Sequence, residues 1–443
     1  ARTVQKDEQG RPGRTDSFYR KFIKHSFYYD LQIMKYIYSK LSIALLLFSF
    51  LIIPVTAQNN DDNDIDNGVI SSAGRQGFSF QTKNKKFLFK PYALIQIAGK
   101  FNYYDDEGLN LADQDKVANS GFAIPNAIIG FSGRAFGRLT FNFALNASQS
   151  GGALLQQAWF DVKMKEALQL RAGKFKTPYN QAYLVTLGET LFPVLPSSLT
   201  TGVNLDKSLN AVKPNIATGF DLGIELHGLI KQKWGYQVGV FNGTGIDVNT
   251  ATKTTSDDHK GIPSLLYAAR FAYMPFGPMP TYQGNPDDLH NNKLLFAISG
   301  NYNVEAEDES SDDLRAGFEF AWLKNRFYIS GEVYMLRMNF TKRMQSAADF
   351  TAWGAYIQGG YFVTSKLQTA LRYDFFDRNG TDKDGSLNMP AVGLNYFFSR
   401  CNLKLQAMYQ YIGRWGHETQ LDRDMDDNGM AMHSATVMLQ YTF

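Results

Sequence analysis

The chain contains one cysteine, Cys401, in 443 residues. That excludes an intramolecular disulfide framework, and its position where a turn meets a strand gives the thiol no evident chemistry. After Ala57 no apolar run reaches the length of a transmembrane helix and amphipathic helical periodicity is scarce, which disfavours a helical membrane protein and a set of soluble helical domains. Neither a propeller-type repeat nor the even strand spacing of a sandwich is evident. Arginine is missing from the whole interval between Arg171 and Arg270. Catalytic and cofactor signatures are equally thin. Gly243-Thr244-Gly245 lacks the third glycine and the following helix of a dinucleotide fingerprint, so it is read as a loop. Asp424 to Gly429 opens like an EF-hand calcium loop, but Ala435 stands where the bidentate glutamate is needed. His227, His259, His290, His417 and His433 are expected in loops or a lumen, and none has a serine and an orienting partner at local spacing, which argues against a barrel hydrolase. No catalytic residue, metal or cofactor is implied.

What is present is alternation. Ser434 to Phe443 (SATVMLQYTF) puts Ala435, Val437, Leu439, Tyr441 and Phe443 on one face and Ser434, Thr436, Met438, Gln440 and Thr442 on the other. A strand with one apolar face that closes on an aromatic residue is the ending that Gram-negative outer-membrane barrels offer their assembly machinery, with Tyr441 and Phe443 as the expected signal. The beginning of the chain fits the same compartment. Met34 to Ala57 has basic Lys35 and Lys40, an apolar run from Leu41 to Ile53 and a small-residue end, the pattern of a cleaved secretory signal peptide, with a retained anchor helix as the alternative. Residues 1–33 are expected to lie outside the mature protein. The first 57 residues hold nine of the 45 Lys and Arg and four of the 42 Asp and Glu, which leaves 36 basic against 38 acidic residues and a nearly neutral remainder.

Residues 58–86, opening on an Asn/Asp tract, read as a flexible lead with a short strand at Gly77 to Gln81. From Phe87 to Phe443 the pattern predicts an all-β, single-chain transmembrane antiparallel barrel of sixteen strands, at about 87–104, 122–136, 138–148, 154–164, 168–177, 219–229, 235–243, 264–275, 293–305, 313–324, 326–338, 350–364, 367–378, 388–399, 402–413 and 432–443. Tight links such as Phe136-Gly137, Lys165 to Ala167 and Lys324-Asn325 alternate with long external loops at 105–121, 178–218, 244–263, 276–292, 379–387 and 414–431. Outward aromatics, among them Tyr373, Phe375, Tyr396, Phe398, Tyr409, Tyr411 and Tyr441, would seat the barrel in outer-membrane lipid.

The inward set carries Lys90, Lys100, Arg134, Lys163, Arg171, Arg270, Arg315, Arg372 and Lys404 against Asp161, Asp221, Glu225, Glu319, Glu332 and Asp374. This is a mild positive bias, with cross-strand ion pairs as the structural alternative. His227 shares a face with Glu225 and reads as its lumen partner. Pro178 to Thr218 is too long for an ordinary connection, and its apolar pieces (Leu187, Leu191-Phe192, Val194-Leu195) favour folding into the barrel mouth. Its charges are Glu189, Asp206, Lys207 and Lys213.

LQLRAGKFKTP at Leu168–Pro178, followed by the long loop, FDLGIELHG, GYQVGVFNGTG and the terminal aromatic, resembles the phosphate-selective porin O and P family over about Phe87 to Phe443. The resemblance implies a sixteen-stranded homotrimeric anion channel, an arginine ladder and a lysine- and arginine-lined constriction, with Lys174 and Lys176 matching the family element. The arginine gap departs from that pattern, because guanidinium is the group best suited to bidentate phosphate contact. The expectation is an outer-membrane porin passing small hydrophilic solutes or inorganic anions, phosphate among the candidates, with no nucleic-acid partner. The alternative is a non-conducting barrel serving as a structural or secretion-system component.

Overall fold

The computed structural model describes residues 68–74, 77–104, 118–149, 154–200, 218–243, 264–304, 311–340, 350–377, 386–415 and 432–443. All belong to one compact unit spanning Asp66–Phe443. The signal-peptide reading, Asp206, Lys207, Lys213, His259, His417 and the Asp424 to Gly429 segment lie outside the described residues.

Sixteen antiparallel strands close on themselves. They are β3 (Leu88–Tyr104), β4 (Ala118–Ala135), β5 (Leu139–Asn146), β6 (Leu155–Lys165), β7 (Leu168–Lys176), β8 (Phe220–Ile230), β9 (Trp234–Phe241), β10 (Leu266–Tyr273), β11 (Asn292–Asn303), β12 (Ser311–Lys324), β13 (Phe327–Phe340), β14 (Phe350–Phe362), β15 (Leu367–Asp377), β16 (Ser386–Ser399), β17 (Leu403–Trp415) and β18 (Met432–Thr442). Each pairs with its sequence neighbours, and β18 returns to β3 with Leu439 opposite Ile97 and Thr436 opposite Lys100. The count and the strand positions agree with the sequence reading. In β18 Val437, Leu439 and Tyr441 are exposed on the outer face, whereas Thr436, Met438 and Gln440 are buried. His433 departs from the expected loop or lumen placement. It shares the outer face with Val437, and its ring lies among Tyr103, Tyr409 and Tyr411, accepting or donating one bond to the Tyr409 hydroxyl at 2.6 Å.

Two expectations are corrected. From Gly68 onward the lead holds more than the one short strand expected at Gly77 to Gln81. A hairpin of β1 (Val69–Gly74) and β2 (Gly77–Thr82) forms, and β2 pairs with the beginning of β3 through Phe80–Phe89 and Gln81–Leu88. The reason is that β3 outruns β18: their pairing stops at Leu94, so the first residues of β3 would present an open edge without β2. Phe78 then meets the terminal Phe443 edge to face at 6.2 Å.

The second correction concerns residues 276–292, expected as an external loop. Strands alternate in direction, and only β10 separates this link from the one after β9, so the two must lie at opposite ends of the barrel. The segment between β10 and β11 therefore belongs to the end of the tight turns. It rises into the bore, where Gln283 N–H donates to the Glu189 carbonyl at 2.9 Å and Thr281 accepts from Thr186 N–H at 3.0 Å.

Candidate functional site

The long connection after β7 enters the barrel, as its apolar pieces require. Its described part holds two short helices, α1 (Gln181–Leu184) and α2 (Ser197–Thr200), and a 3-10 turn at Leu187–Glu189. Tyr179, Ala182 and Leu199 pack on Tyr334, Leu336, Met338, Ala352, Phe376 and Met389, while Leu191 and Phe192 pack on Leu323, Tyr328, Ala370, Ala391 and Met408. Burying side chains of this size stabilises the folded-in path by roughly 1.5–3 kcal/mol each. The inner face of β13 is accordingly apolar at Tyr334, Leu336 and Met338, against the polar lumen that the alternation predicted.

Polar groups fix the loop more narrowly than packing does. Glu332 accepts from the Gln181 N–H at 3.0 Å, from the Ala182 N–H at 2.7 Å and from the Tyr356 hydroxyl. Asp374 accepts from the Ser198 N–H at 3.2 Å and from its hydroxyl, which also meets the Tyr334 hydroxyl at 2.6 Å. Arg372 donates to the Val194 carbonyl at 2.9 Å with its guanidinium 4.6 Å from the Phe192 ring centre. Lys404 donates to the Thr190 carbonyl at 3.0 Å, and Asn395 to the Leu191 carbonyl at 2.9 Å. Arg270 reaches Gln181 Oε1 at 2.7 Å while paired with Glu319 at 2.6 Å.

These contacts redistribute the nominated cations. Arg270, Arg372 and Lys404 hold protein. Arg171 pairs with Asp161 at 2.9 Å, faces Glu225 at 3.7 Å and lies over Trp159. Arg315 pairs with Asp313. His227 bonds to Asp161 at 2.8 Å rather than to Glu225, as the shared face had suggested. Arg134 donates to the Lys85 carbonyl at the tight-turn end. Lys90 is half-buried and Lys100 exposed on the inner wall. Among the described residues the inner wall therefore presents no continuous ladder of arginines open to the bore.

Lys174 and Lys176 are a separate case. Leu170 and Ala172 are exposed on the outer face, so strict alternation would put both lysines in lipid. Gly173 breaks the phase. Its φ of +129° is a conformation that L side chains rarely adopt, and a Cβ there would stand 2.1 Å from the Ala158 carbonyl oxygen. Beyond it Lys174, Phe175 and Thr177 are all buried. Phe175 packs on Phe241, Leu266 and Ala268. Both lysines line a cavity of about 190 Å³ that separates the tops of β4 to β8 from Tyr183, Leu187 and Leu195 of the loop. Lys176 Nζ donates to the carbonyls of Tyr183 at 2.7 Å and Val185 at 2.9 Å, between the rings of Tyr183 and Phe220. Burial pushes the Tyr183 phenol up to about 12, so that ring stays neutral.

Sequence reading missed the uncharged side of this gap. Asn146 Oδ1 accepts from the Ala127 N–H at 3.0 Å, which turns its Nδ2 to Asn126 Oδ1 at 2.9 Å. Asn126 then donates to Gln96 at 2.8 Å and Gln96 to Gln440 at 2.9 Å. Gln440 Nε2 ends on the Gly188 carbonyl of the loop at 2.7 Å. A backbone donor at one end and a backbone acceptor at the other lock four carboxamides across β5, β4, β3 and β18 in one orientation. The available signal was an amide at an inward position of four strands that neighbour one another in the closed ring.

Comparison with known proteins agrees with this architecture. The family model described as Phosphate-selective porin O and P matches residues 95–443. Among solved structures, the anion-selective porin from Comamonas acidovorans is similar at a TM-score of 0.53 and 10% identity, over 81% of this chain and 100% of that one. OmpF of Salmonella typhi, solved with daunomycin, is similar at a TM-score of 0.50 and 12% identity, over 82% of this chain and 100% of that one. No curated protein matches the sequence.

Proposed function

The chain belongs to the phosphate-selective porin O and P family, and from that premise we propose that its channel is selective for small anions at the gap between the folded-in loop and the carboxamide wall, without a preference for phosphate. It is a porin of the Gram-negative outer membrane that passes anions or small solutes by passive diffusion. The observation that carries the finer reading is the phase break at Gly173, which brings two lysines to the gap between loop and wall. Lys176 keeps one N–H donor beyond the two loop carbonyls it holds, and together with Lys174 it lines the gap, which places positive charge along the path of a passing anion. Among the described residues the inward guanidinium groups that would favour phosphate are instead engaged with carboxylates or with backbone carbonyls.

We read the protein as a channel rather than an enzyme, exported by a signal peptide, inserted by the assembly machinery that recognises Tyr441 and Phe443, and present as a homotrimer. The test is the reversal potential across a salt gradient in planar bilayers, with chloride and then phosphate as the anion. The expected result is an anion-selective potential of similar size in both salts. A cation-leaning potential would refute the role of the lysine pair, and absence of conductance would favour a structural or secretion-system component.

A further inference from the structure

The gap between loop and wall has three chemically different surfaces, and together they describe a ligand. Gln149 and Gln156 extend the uncharged amide side, Lys174 and Lys176 supply positive charge, and Leu187 and Leu195 close the side that belongs to the loop. We propose that this gap binds a hydroxylated organic monoanion, a sugar acid in chemical class, in preference to inorganic phosphate. The inference rests on the anion reading above and adds to it the kind of anion.

Phosphate can use the ammonium groups and the amide donors, but neither the amide acceptors nor the leucines. A compact, strongly hydrated oxyanion gains nothing from leucine side chains, and losing water against them without new hydrogen bonds is costly. Lys176 has given two of its three N–H donors to loop carbonyls, so about one remains for a ligand. A polyhydroxy carboxylate uses all three surfaces. Its carboxylate meets the ammonium groups, its hydroxyls exchange donors and acceptors with the amides, and its C–H edges lie on the leucines. The cavity of about 190 Å³ holds on the order of six waters at liquid density, which is the scale of a single small organic molecule.

The experiment records single-channel chloride current through the full-length protein while gluconate, phosphate or sorbitol is added. Gluconate is expected to block at a concentration at least tenfold below the other two. In Gln149→Ala/Gln156→Ala, two residues outside the locked amide chain, the ratio between gluconate and phosphate should fall about fivefold. Equal half-blocking concentrations for gluconate and phosphate, with an anion-selective reversal potential, would overturn this inference alone. Block by sorbitol as strong as by gluconate would remove the anionic half of the ligand. A cation-leaning reversal potential would instead overturn the anion reading on which the inference stands.

Discussion

From β12 to β17 the inner wall is covered by the loop, whereas at the tops of β4 to β8 a gap separates wall from loop. On the covered side the charged residues Glu332, Asp374, Arg372 and Lys404 each contact the loop. At the gap neutral carboxamides bond to one another, and two lysines approach from a kinked strand, with Lys176 and the end of the amide chain reaching the loop. The difference teaches that charge on a lumen wall is not by itself a permeation signal. An inward ion can place a second layer of protein, and the groups that meet the solute are then those that line the gap beside it.

The comparison can be broken most severely at Gly173. Replacement by Val should both clash with the Ala158 carbonyl and disfavour φ +129°, a strain of the order of 1–3 kcal/mol or more. If β7 keeps regular alternation instead, both lysines move toward lipid. The expected outcome is a large loss of folded barrel in membranes, read from the heat-modifiable band on gels. Next in size, Glu332→Ala/Asp374→Ala orphans the N–H groups of Gln181, Ala182 and Ser198, each costing about 1–3 kcal/mol when left buried without an acceptor. The loop should detach and single-channel conductance rise severalfold with loss of selectivity; unchanged conductance would show that packing alone holds it.

Charge removal at the gap should act differently. Lys174→Met/Lys176→Met is expected to bring the reversal potential close to zero, whereas Lys90→Gln/Lys100→Gln should shift it by much less. Acidification sharpens the contrast from the loop side. Burial raises the pKa of Glu189, with the Lys404 charge acting the other way. The protonated form is therefore favoured in the folded loop, and the penalty for ionisation builds up as pH rises from the ordinary carboxylate pKa through the raised one. Lowering the pH should neutralise Glu189 before an ordinary carboxylate would protonate, increasing anion over cation permeability modestly. Glu189→Gln should remove that part of the pH dependence.

The barrel was legible because alternation is repeated in sixteen segments, and the folded-in loop because Leu191 and Phe192 have no other apolar place to go. The lysine pair was legible only through resemblance, since period two sends Lys174 and Lys176 outward and a single glycine reverses that result. The covered wall did leave a trace. Tyr334, Leu336 and Met338 are apolar at inward positions, which in a wet lumen calls for something lying on them. The opposite-end location of residues 274–291 was also accessible, by counting strand directions instead of comparing loop lengths. The amide chain was not, because its members are far apart in sequence and become neighbours only when the ring closes.

That closure also orders events in time. Gln96 and Gln440 are 344 positions apart, so the seam between the first and last barrel strands is a contact of the highest sequence separation, and such contacts form late. Until β18 arrives, β3 has an unsatisfied ladder edge along most of its length, the kind of surface that recruits strands from other chains. The β1–β2 hairpin covers only the first residues of that edge, and its Phe78 finds Phe443 only after the final residue is in place. Removing β18 should therefore yield aggregates rather than a smaller pore, and removing the hairpin should slow closure more than it weakens the closed barrel.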